Sequence, residues 1–204
     1  MATPSIRSIV RKGVWEENPV IRQILGICSA LAVTNLMTNT LIMGLGLVFT
    51  TAMSCATVSA LRKVTPDRIR MMVQVLIIAS YVMIVDIVLK AYLPKISEAL
   101  GPYVGLIITN CIIMGRCEGF ARTNPVWPAF VDGIASGTGY AVVLLMIASV
   151  RELLGFGSIF GFGVLPADWT RWTIMVMAPA GFFMIATFIW ITRSLENRSK
   201  PQKA

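Results

Sequence analysis

Long apolar runs constrain this chain more than any other feature of its sequence. Several of them approach or exceed the ~20 apolar residues that an α-helix needs to cross the ~30 Å hydrocarbon core of a bilayer. Of the 204 residues, 56% are hydrophobic and only 14% are charged, which is too little charge to cover a soluble domain of this size. The loops are too short to hold a separate soluble domain. The sequence therefore predicts an all-α integral membrane protein with a single membrane domain, residues 1–204.

Six apolar segments predict six transmembrane helices. They cover residues 19–34, 38–61, 69–92, 103–115, 131–150 and 173–192. The first and fourth segments are short and interrupted by polar residues, whereas the other four are full-length. The order short-long-long thus occurs twice, and three crossings per half would invert the second half. This pattern predicts a 3+3 inverted repeat with short or broken first and fourth helices, its halves at residues 19–92 and 103–192.

The distribution of Lys and Arg predicts that both termini are cytoplasmic. Of the 18 basic residues, 14 lie in the N-terminal flank, the second and fourth connections and the C-terminal tail, and such an excess is typical of cytoplasmic flanks. Residues 1–18 are expected to form an amphipathic helix on the cytoplasmic surface or a frayed terminus, and residues 193–204 a cytoplasmic tail. The net charge of +8 then reflects membrane topology. The sequence has no basic face with interleaved aromatic residues, the pattern that would indicate nucleic-acid binding.

The absence of histidine excludes several redox centres. The sequence contains no His and four Cys, at positions 28, 55, 111 and 117. Histidine-ligated haem, a Rieske centre and histidine acid–base catalysis therefore cannot be built from this chain alone.

Cys28 and Cys111 occupy equivalent positions in the two short segments. Counted from the predicted starts at Pro19 and Tyr103, each thiol lies about 12–14 Å into the bilayer, so the two approach the midplane from opposite sides. A lone membrane cysteine commonly packs as a small hydrophobe, but two thiols at one depth could ligate zinc or an iron–sulfur cluster. A [2Fe–2S] cluster takes four thiolates. Two more would then have to come from a partner with the same architecture.

Asp86 is the candidate for an ion pathway. It is the only acidic residue within a long apolar run, "YVMIVDIVLKAY", where a carboxylate is costly and usually serves an ion path or a pair. The alternative is a local pair with Lys90, one helical turn further on. Cys55 and Cys117 lie nearer the cytoplasmic ends of their segments and are expected to be packing residues.

Other polar and small residues favour structural roles. Gly133, Gly137 and Gly139 lack the preceding strand and the GK[ST] of a phosphate loop, and small residues on a membrane helix usually permit close packing. Asp132 suits the N-terminus of the predicted fifth helix. Structural ion pairs or anchors at the membrane edge are expected from Arg116, Glu118, Arg151 and Glu152.

Four stretches resemble the small membrane subunits of the sodium-translocating NADH:quinone oxidoreductase (Nqr) and the related Rnf complex. They are "LGICSALAVT", "VLIIASYVMIVDIVLKAY", "GLIITNCIIMGRCEGFA" and "RELLG". The resemblance runs from about Pro19 to Trp190 and is strongest to the D-type subunits of Nqr, with the E-type subunits of Rnf as the alternative. The family motif GRAEAFA reads "GRCEGFA" here. Cys117 and Gly119 thus replace alanines, which disfavours Cys117 as a family ligand.

The resemblance implies a subunit of a Na⁺-pumping NADH:ubiquinone reductase, a translocase in the bacterial inner membrane, that is not catalytic alone. It implies that Cys28 and Cys111 share an intramembrane [2Fe–2S] cluster with the homologous E-type subunit of Nqr, and that Asp86 serves sodium uptake. Electrons would cross the bilayer through the cluster, coupled to Na⁺ export from cytoplasm to periplasm. Flavins, NADH and quinone would bind elsewhere among subunits A, B, C, E and F. From the residues alone, a small secondary ion carrier and a structural assembly subunit stay open.

Overall fold

The computed structural model describes residues 23, 25–92, 94–159, 162–163 and 177–199. Its α-helices are α1 (Ile27–Val33), α2 (Met37–Leu61), α3 (Arg70–Tyr92), α4 (Pro94–Ile108), α5 (Cys111–Arg116), α6 (Val126–Phe156) and α7 (Ala178–Ser199). A π-helical turn, Cys117–Ala121, continues α5. Two short antiparallel strands, β1 (Ser158–Ile159) and β2 (Phe162–Gly163), follow α6. Apart from that hairpin, the regular structure of the described part is helical, which confirms the all-α prediction.

The described helices have the length and composition of membrane spans. Four apolar stretches are long enough to cross a bilayer, namely α2, α3, α6 and the broken stretch Tyr103–Ala121, and α7 contains a shorter apolar helix, Pro179–Leu195. Each of the six predicted segments contains a helix, although most of the first segment before Leu25 lies outside the described residues. The integral membrane class is thus confirmed. The division into two inverted repeats stays a prediction.

The fourth segment is broken, as the sequence predicts, and the described helix of the first segment is short. That helix, α1, ends at Val33, and a break at the predicted connection separates it from α2, which begins at Met37. In the fourth segment α4 ends at Ile108 and α5 begins at Cys111. Both breaks leave backbone groups at new helix ends without intrahelical partners. The side chains that satisfy these groups build the candidate site described below.

Several helix ends differ from the apolar segments that predicted them. α4 begins at Pro94, well before the predicted start at Tyr103, because hydropathy marks only the apolar part of a helix and proline suits the first helical position. α7 continues past Thr192 to Ser199, so part of the predicted tail is helical. The predicted amphipathic segment 1–18 and the last five residues, 200–204, lie outside the described part of the chain.

Helices α2 and α6 form the most extensive helix–helix contact in the described structure. A Cβ added at Gly133 would lie 2.8 Å from the Ala52 Cα, and one at Gly137 would lie 3.0 Å from the Val48 Cα. Both glycines therefore let the two backbones approach more closely than any side chain would allow. The packing role predicted for Gly133 and Gly137 is confirmed.

Candidate functional site

The break in the fourth segment places Cys111 against the start of the first helix. Cys111 is the first residue of α5, and Asn110 caps that helix because its Oδ1 accepts the backbone N–H of Ile112 at 3.0 Å. The backbone N–H of Gly26, just before α1, donates to the Cys111 Sγ with an N···S distance of 2.9 Å. The two broken segments thus meet at a cysteine sulfur.

Gly26 has a backbone conformation that favours glycine. Its φ is +81°, in the left-handed region. A Cβ at this position would lie 2.5 Å from the Ile112 Cδ1 and 2.8 Å from the Tyr140 Cε2. The hydrogen bond to the Cys111 sulfur therefore depends on having no side chain at Gly26.

A buried chain of hydrogen bonds ties three helices together beside this sulfur. Asn110 Nδ2 donates to the Ser29 Oγ at 3.1 Å, the Ser29 hydroxyl contacts the Tyr140 hydroxyl, and the Tyr140 hydroxyl lies 2.9 Å from the Gly26 carbonyl. The Ser29 hydroxyl also lies 3.2 Å from the Gly26 carbonyl, so either hydroxyl can donate to the other while its partner donates to that carbonyl. Ser29, Asn110 and Tyr140 are fully buried. Such a network holds α1, α5 and α6 in one arrangement.

Cys28 lies at the same site but faces outward. It sits in the first turn of α1 with its side chain exposed, whereas Cys111 is half-buried. Cys28 follows Gly26 by two residues, and the Gly26 N–H donates to the Cys111 sulfur. Both predicted thiols therefore adjoin the point where α1 meets α5, with that of Cys28 on the surface of the chain.

The chemistry of the site fits half of a [2Fe–2S] ligand set. Thiolates are the usual ligands of such clusters, and N–H groups that hydrogen-bond the sulfurs tune their potential. Cys28 and Cys111 supply two sulfurs, and the Gly26 N–H supplies a hydrogen bond to one of them. No group of three or more metal-ligating side chains occurs within the described residues. The remaining thiolates would have to come from another chain.

Arg151 and Glu152 form hydrogen bonds with groups at the two helix ends that flank the break between α1 and α2. The Arg151 Nη1 donates to the Thr34 Oγ1 at 2.6 Å and to the Leu31 carbonyl at 3.4 Å, at the C-terminal end of α1. The Glu152 Oε2 accepts the backbone N–H of Met37 at 2.6 Å, at the first residue of α2. Each charge complements the dipole of the helix end that it contacts. This adjacent pair on α6 thus fixes where the helix that carries Cys28 ends.

Cys55 and Cys117 contact each other in the core. Their Sγ atoms are 3.8 Å apart, and the two residues are 1% and 0% exposed.

The buried Arg116 forms a bidentate ion pair with Asp132 on α6, in which Nε lies 2.9 Å from Oδ2. Arg116 therefore pairs with a residue of α6. Glu118, two residues further on, instead forms ion pairs with Arg70, at the start of α3, and with Arg122, after the π-helical turn.

Asp86 lies on α3, whereas the cysteine site is built from α1, α5 and α6. Its Oδ2 is 2.6 Å from the Lys90 Nζ, one turn further along the helix. The pair is partly exposed, since the Asp86 side chain is 23% exposed and that of Lys90 64%. This is the local ion pair that the sequence offered as the alternative to an ion path.

Sequence reasoning missed Gly26, Ser29 and Tyr140 as members of the site. Gly26 precedes Cys28 by two residues in "LGICS", and a glycine beside a candidate ligand signals close backbone approach. Tyr140 lies 111 residues after Ser29, and nothing in the local pattern of α6 marks it. Only the three-dimensional packing of α6 against the two breaks identifies this tyrosine.

Comparison with known proteins places the chain in a family. The profile of the family described as "Rnf-Nqr subunit, membrane protein" matches residues 6–189. The chain is 43% identical to the D subunit of the Na(+)-translocating NADH-quinone reductase of Chlamydia abortus, over 98% of each chain. It is 45% identical to the corresponding D subunit from Pseudomonas aeruginosa, over 95% of this chain and 88% of the relative. The D subunit from Psychromonas ingrahamii is 43% identical over 93% of each chain. The chain belongs to the Rnf-Nqr family of membrane subunits.

Proposed function

We propose that this chain serves as the D-type subunit of a Na⁺-translocating NADH:ubiquinone reductase in the bacterial inner membrane, not catalytic alone. In that role Cys28 and Cys111 hold half of an intramembrane [2Fe–2S] cluster, and two cysteines of the homologous E-type subunit hold the other half. The names of the similar subunits support the complex. The observation that carries the cluster is the Gly26 N–H···Sγ contact of Cys111 beside an exposed Cys28 thiol.

A bound [2Fe–2S] cluster supplies one-electron redox chemistry. The residues of this chain set the environment of its ligands. The Gly26 N–H stabilises negative charge on the Cys111 sulfur. The buried Asn110–Ser29–Tyr140 chain fixes the backbone from which that N–H is directed. Cys28 is exposed and presents its sulfur to a neighbouring subunit.

The contact between α1 and α5 also suggests how electron transfer couples to ion movement. Both are short helices that begin or end at a break, and they meet at the Cys111 sulfur. A change in charge at that sulfur alters the strength of the N–H···S hydrogen bond and hence the preferred separation of the two helices. Inverted-repeat proteins alternate access to a central site by such relative movements.

Flavins, NADH and quinone bind to the other subunits A, B, C, E and F, and both termini face the cytoplasm.

Asp86 is proposed to take part in sodium uptake. Its carboxylate pairs with Lys90 near the end of α3, and a cation that approaches it competes with that ammonium group. The change Asp86→Asn should raise the Na⁺ concentration that gives half-maximal quinone reductase activity by about tenfold, because the charge that attracts the cation is lost. The cluster signal should stay unchanged.

Glu98→Gln, at an exposed position on α4, removes the same charge elsewhere and is the control. Equal Na⁺ dependence in Asp86→Asn and wild-type complex would reduce Asp86 to a structural partner of Lys90.

The cluster proposal is tested in the assembled complex by the changes Cys28→Ser and Cys111→Ser. Each should remove most of the [2Fe–2S] electron paramagnetic resonance signal and lower the iron bound per complex, because serine is a poor ligand for this cluster. Cys55→Ser and Cys117→Ala are matched controls in the same chain and should keep the signal. A full cluster signal in both Cys28→Ser and Cys111→Ser would instead favour a small ion carrier in which these thiols only pack.

A further inference from the structure

A cavity of about 340 Å³ lies where the chain leaves α2 and re-enters α3. Both helices are long and apolar enough to cross a bilayer, so the cavity sits at the membrane surface. Its walls come from the end of α2, the connection 62–69, the start of α3 and Arg122 after the π-helical turn. None of the residues that line it belongs to the cysteine site.

The cavity carries a surplus of positive charge. It is lined by Arg62, Arg70 and Arg122 but by one carboxylate, Asp67. Arg70 is paired with Glu118 at 2.8 Å, and Arg122 is paired with Asp67 at 2.8 Å. Arg62 is exposed and forms no ion pair within the part of the chain that the structure describes. One guanidinium group at the rim of the cavity is therefore available to an anion.

A buried polar side chain, Gln74, also lines this cavity. Gln74 is only 4% exposed, and its Nε2 donates to the Glu118 Oε2 at 3.0 Å. The Glu118 carboxylate can only accept hydrogen bonds, so the Gln74 amide must direct its nitrogen, rather than its oxygen, toward Glu118. The Gln74 Oε1 has no hydrogen-bond partner among the described residues. This oxygen is itself fully buried and out of reach of a ligand in the cavity, so the charge of Arg62 and the apolar lining determine what the cavity can bind.

The rest of the lining is apolar. Val58, Leu61, Val73 and Ile77 continue the cavity wall toward the hydrophobic length of α2 and α3. An acyl chain can follow such a wall into the bilayer, whereas a free phosphate ion cannot use it. Basic pockets between membrane helices bind anionic lipid headgroups by this combination of charge and apolar surface.

We propose that this cavity binds an anionic phospholipid, for which phosphatidylglycerol is the probe. The phosphate lies at Arg62, and an acyl chain lies along Val73 and Ile77. A zwitterionic lipid brings no net charge to Arg62, and an acidic peptide brings no acyl chain to the apolar wall.

Photo-crosslinking of the intact complex tests this site. A photoactivatable phosphatidylglycerol is added at a subsaturating concentration, and labelling of peptides that cover residues 58–77 is measured by mass spectrometry. The matching phosphatidylcholine probe should label these peptides several-fold less. Arg62→Gln should lower labelling by the phosphatidylglycerol probe about fivefold, the effect of one arginine near an anionic headgroup. Lys63→Gln removes the same charge from the neighbouring residue, which does not line the cavity, and should leave labelling nearly unchanged.

Four outcomes would overturn the proposal. Equal labelling by both lipids would remove the role of the negative charge. An equal loss in Lys63→Gln and Arg62→Gln would indicate only general surface potential. Displacement of the probe by millimolar inorganic phosphate would indicate a free-anion site. Crosslinks from residues 58–77 to an acidic segment of another subunit, with no lipid label, would indicate a protein occupant. Iron content and the cluster signal are independent of all four outcomes, so failure here leaves the cluster proposal intact.

Discussion

At the scale of single residues, Gly26 determines the environment of the Cys111 sulfur. Its left-handed backbone directs an N–H at that sulfur, and the space where a Cβ would lie is filled by Ile112 and Tyr140. Two separate constraints, conformation and space, therefore act at the same position. In the proposed cluster site Cys111 would supply the ligand atom, and Gly26 supplies a hydrogen bond to that sulfur.

The change Gly26→Ala should destabilise the complex and alter its cluster. A left-handed conformation costs an L-residue about 1–2 kcal/mol, and the Cβ would add contacts at 2.5 Å and 2.8 Å. Displacement of the N–H should shift the midpoint potential and the g-values of the cluster. Thermal unfolding of the purified complex and a redox titration followed by paramagnetic resonance measure both effects.

Gly105→Ala is the matched control, because a Cβ there has nothing within 4 Å. It should leave both readouts at the wild-type values. A wild-type potential in Gly26→Ala would show that the N–H···S contact has no influence on the cluster.

At the scale of elements, the two breaks are stabilised by side chains from elsewhere in the chain. Arg151 bonds the end of α1, and Glu152 bonds the first N–H of α2. Arg151 also donates to the Met177 carbonyl at 3.3 Å, next to α7. A helix break inside a membrane protein is tolerated where neighbouring groups satisfy the freed backbone. These two residues on α6 meet that requirement.

Arg151→Met should destabilise the complex by about 3–5 kcal/mol, the usual cost of removing one member of a buried charged network. The apolar length of the side chain is kept, so the loss reports the hydrogen bonds to Leu31, Thr34 and Met177. Denaturation of the purified complex measures the effect. Arg193→Met, on the exposed surface of α7, is expected to change stability by less than about 0.5 kcal/mol. Similar small effects in both variants would contradict the role assigned to Arg151.

The contact between α2 and α6 gives a further prediction. A Cβ at Gly133 would lie 2.8 Å from the Ala52 Cα and 3.0 Å from the Thr51 carbonyl oxygen. Both neighbours are backbone atoms, so Gly133→Ala must push the helices apart and should cost about 1–3 kcal/mol. Gly119→Ala adds a Cβ with nothing within 4 Å and should be neutral. Thermal unfolding of the two variants side by side decides whether α2 and α6 need the glycine.

Sequence patterns could predict the spans and the breaks, because both are local properties. Hydropathy marks α2 and α3 nearly to the residue, and the polar pair Thr109–Asn110 signals the break before α5. The same reasoning missed the polar start of α4, since charged residues hide a helix from a hydropathy scan. It also missed Tyr140, and it expected a structural role for Arg151 without identifying its partners. The partners of both residues lie more than a hundred residues away in the sequence. Those contacts depend on how the helices pack, which periodicity does not encode.

At the scale of the whole molecule, the surface suits a subunit embedded in lipid and partner chains. Only Gln74, Ile78 and Val82 are buried on α3, and large apolar side chains on that helix are exposed, Met72 by 76%. Apolar exposure alone is expected in a bilayer and needs no protein partner. An exposed Cys28 thiol beside the Cys111 site does need one, if both sulfurs bind the same cluster.

Two double variants in the assembled complex test most directly whether Cys28 and Cys111 hold the cluster. Cys28→Ala/Cys111→Ala removes the pair assigned to the cluster, and Cys55→Ala/Cys117→Ala removes the buried pair whose sulfurs lie 3.8 Å apart. The measurement is the intramembrane [2Fe–2S] signal at low temperature, together with iron per complex. If Cys28 and Cys111 hold the cluster, the first variant loses the signal and the second keeps it. A cluster that survives in the first variant, or disappears in the second, would contradict that assignment.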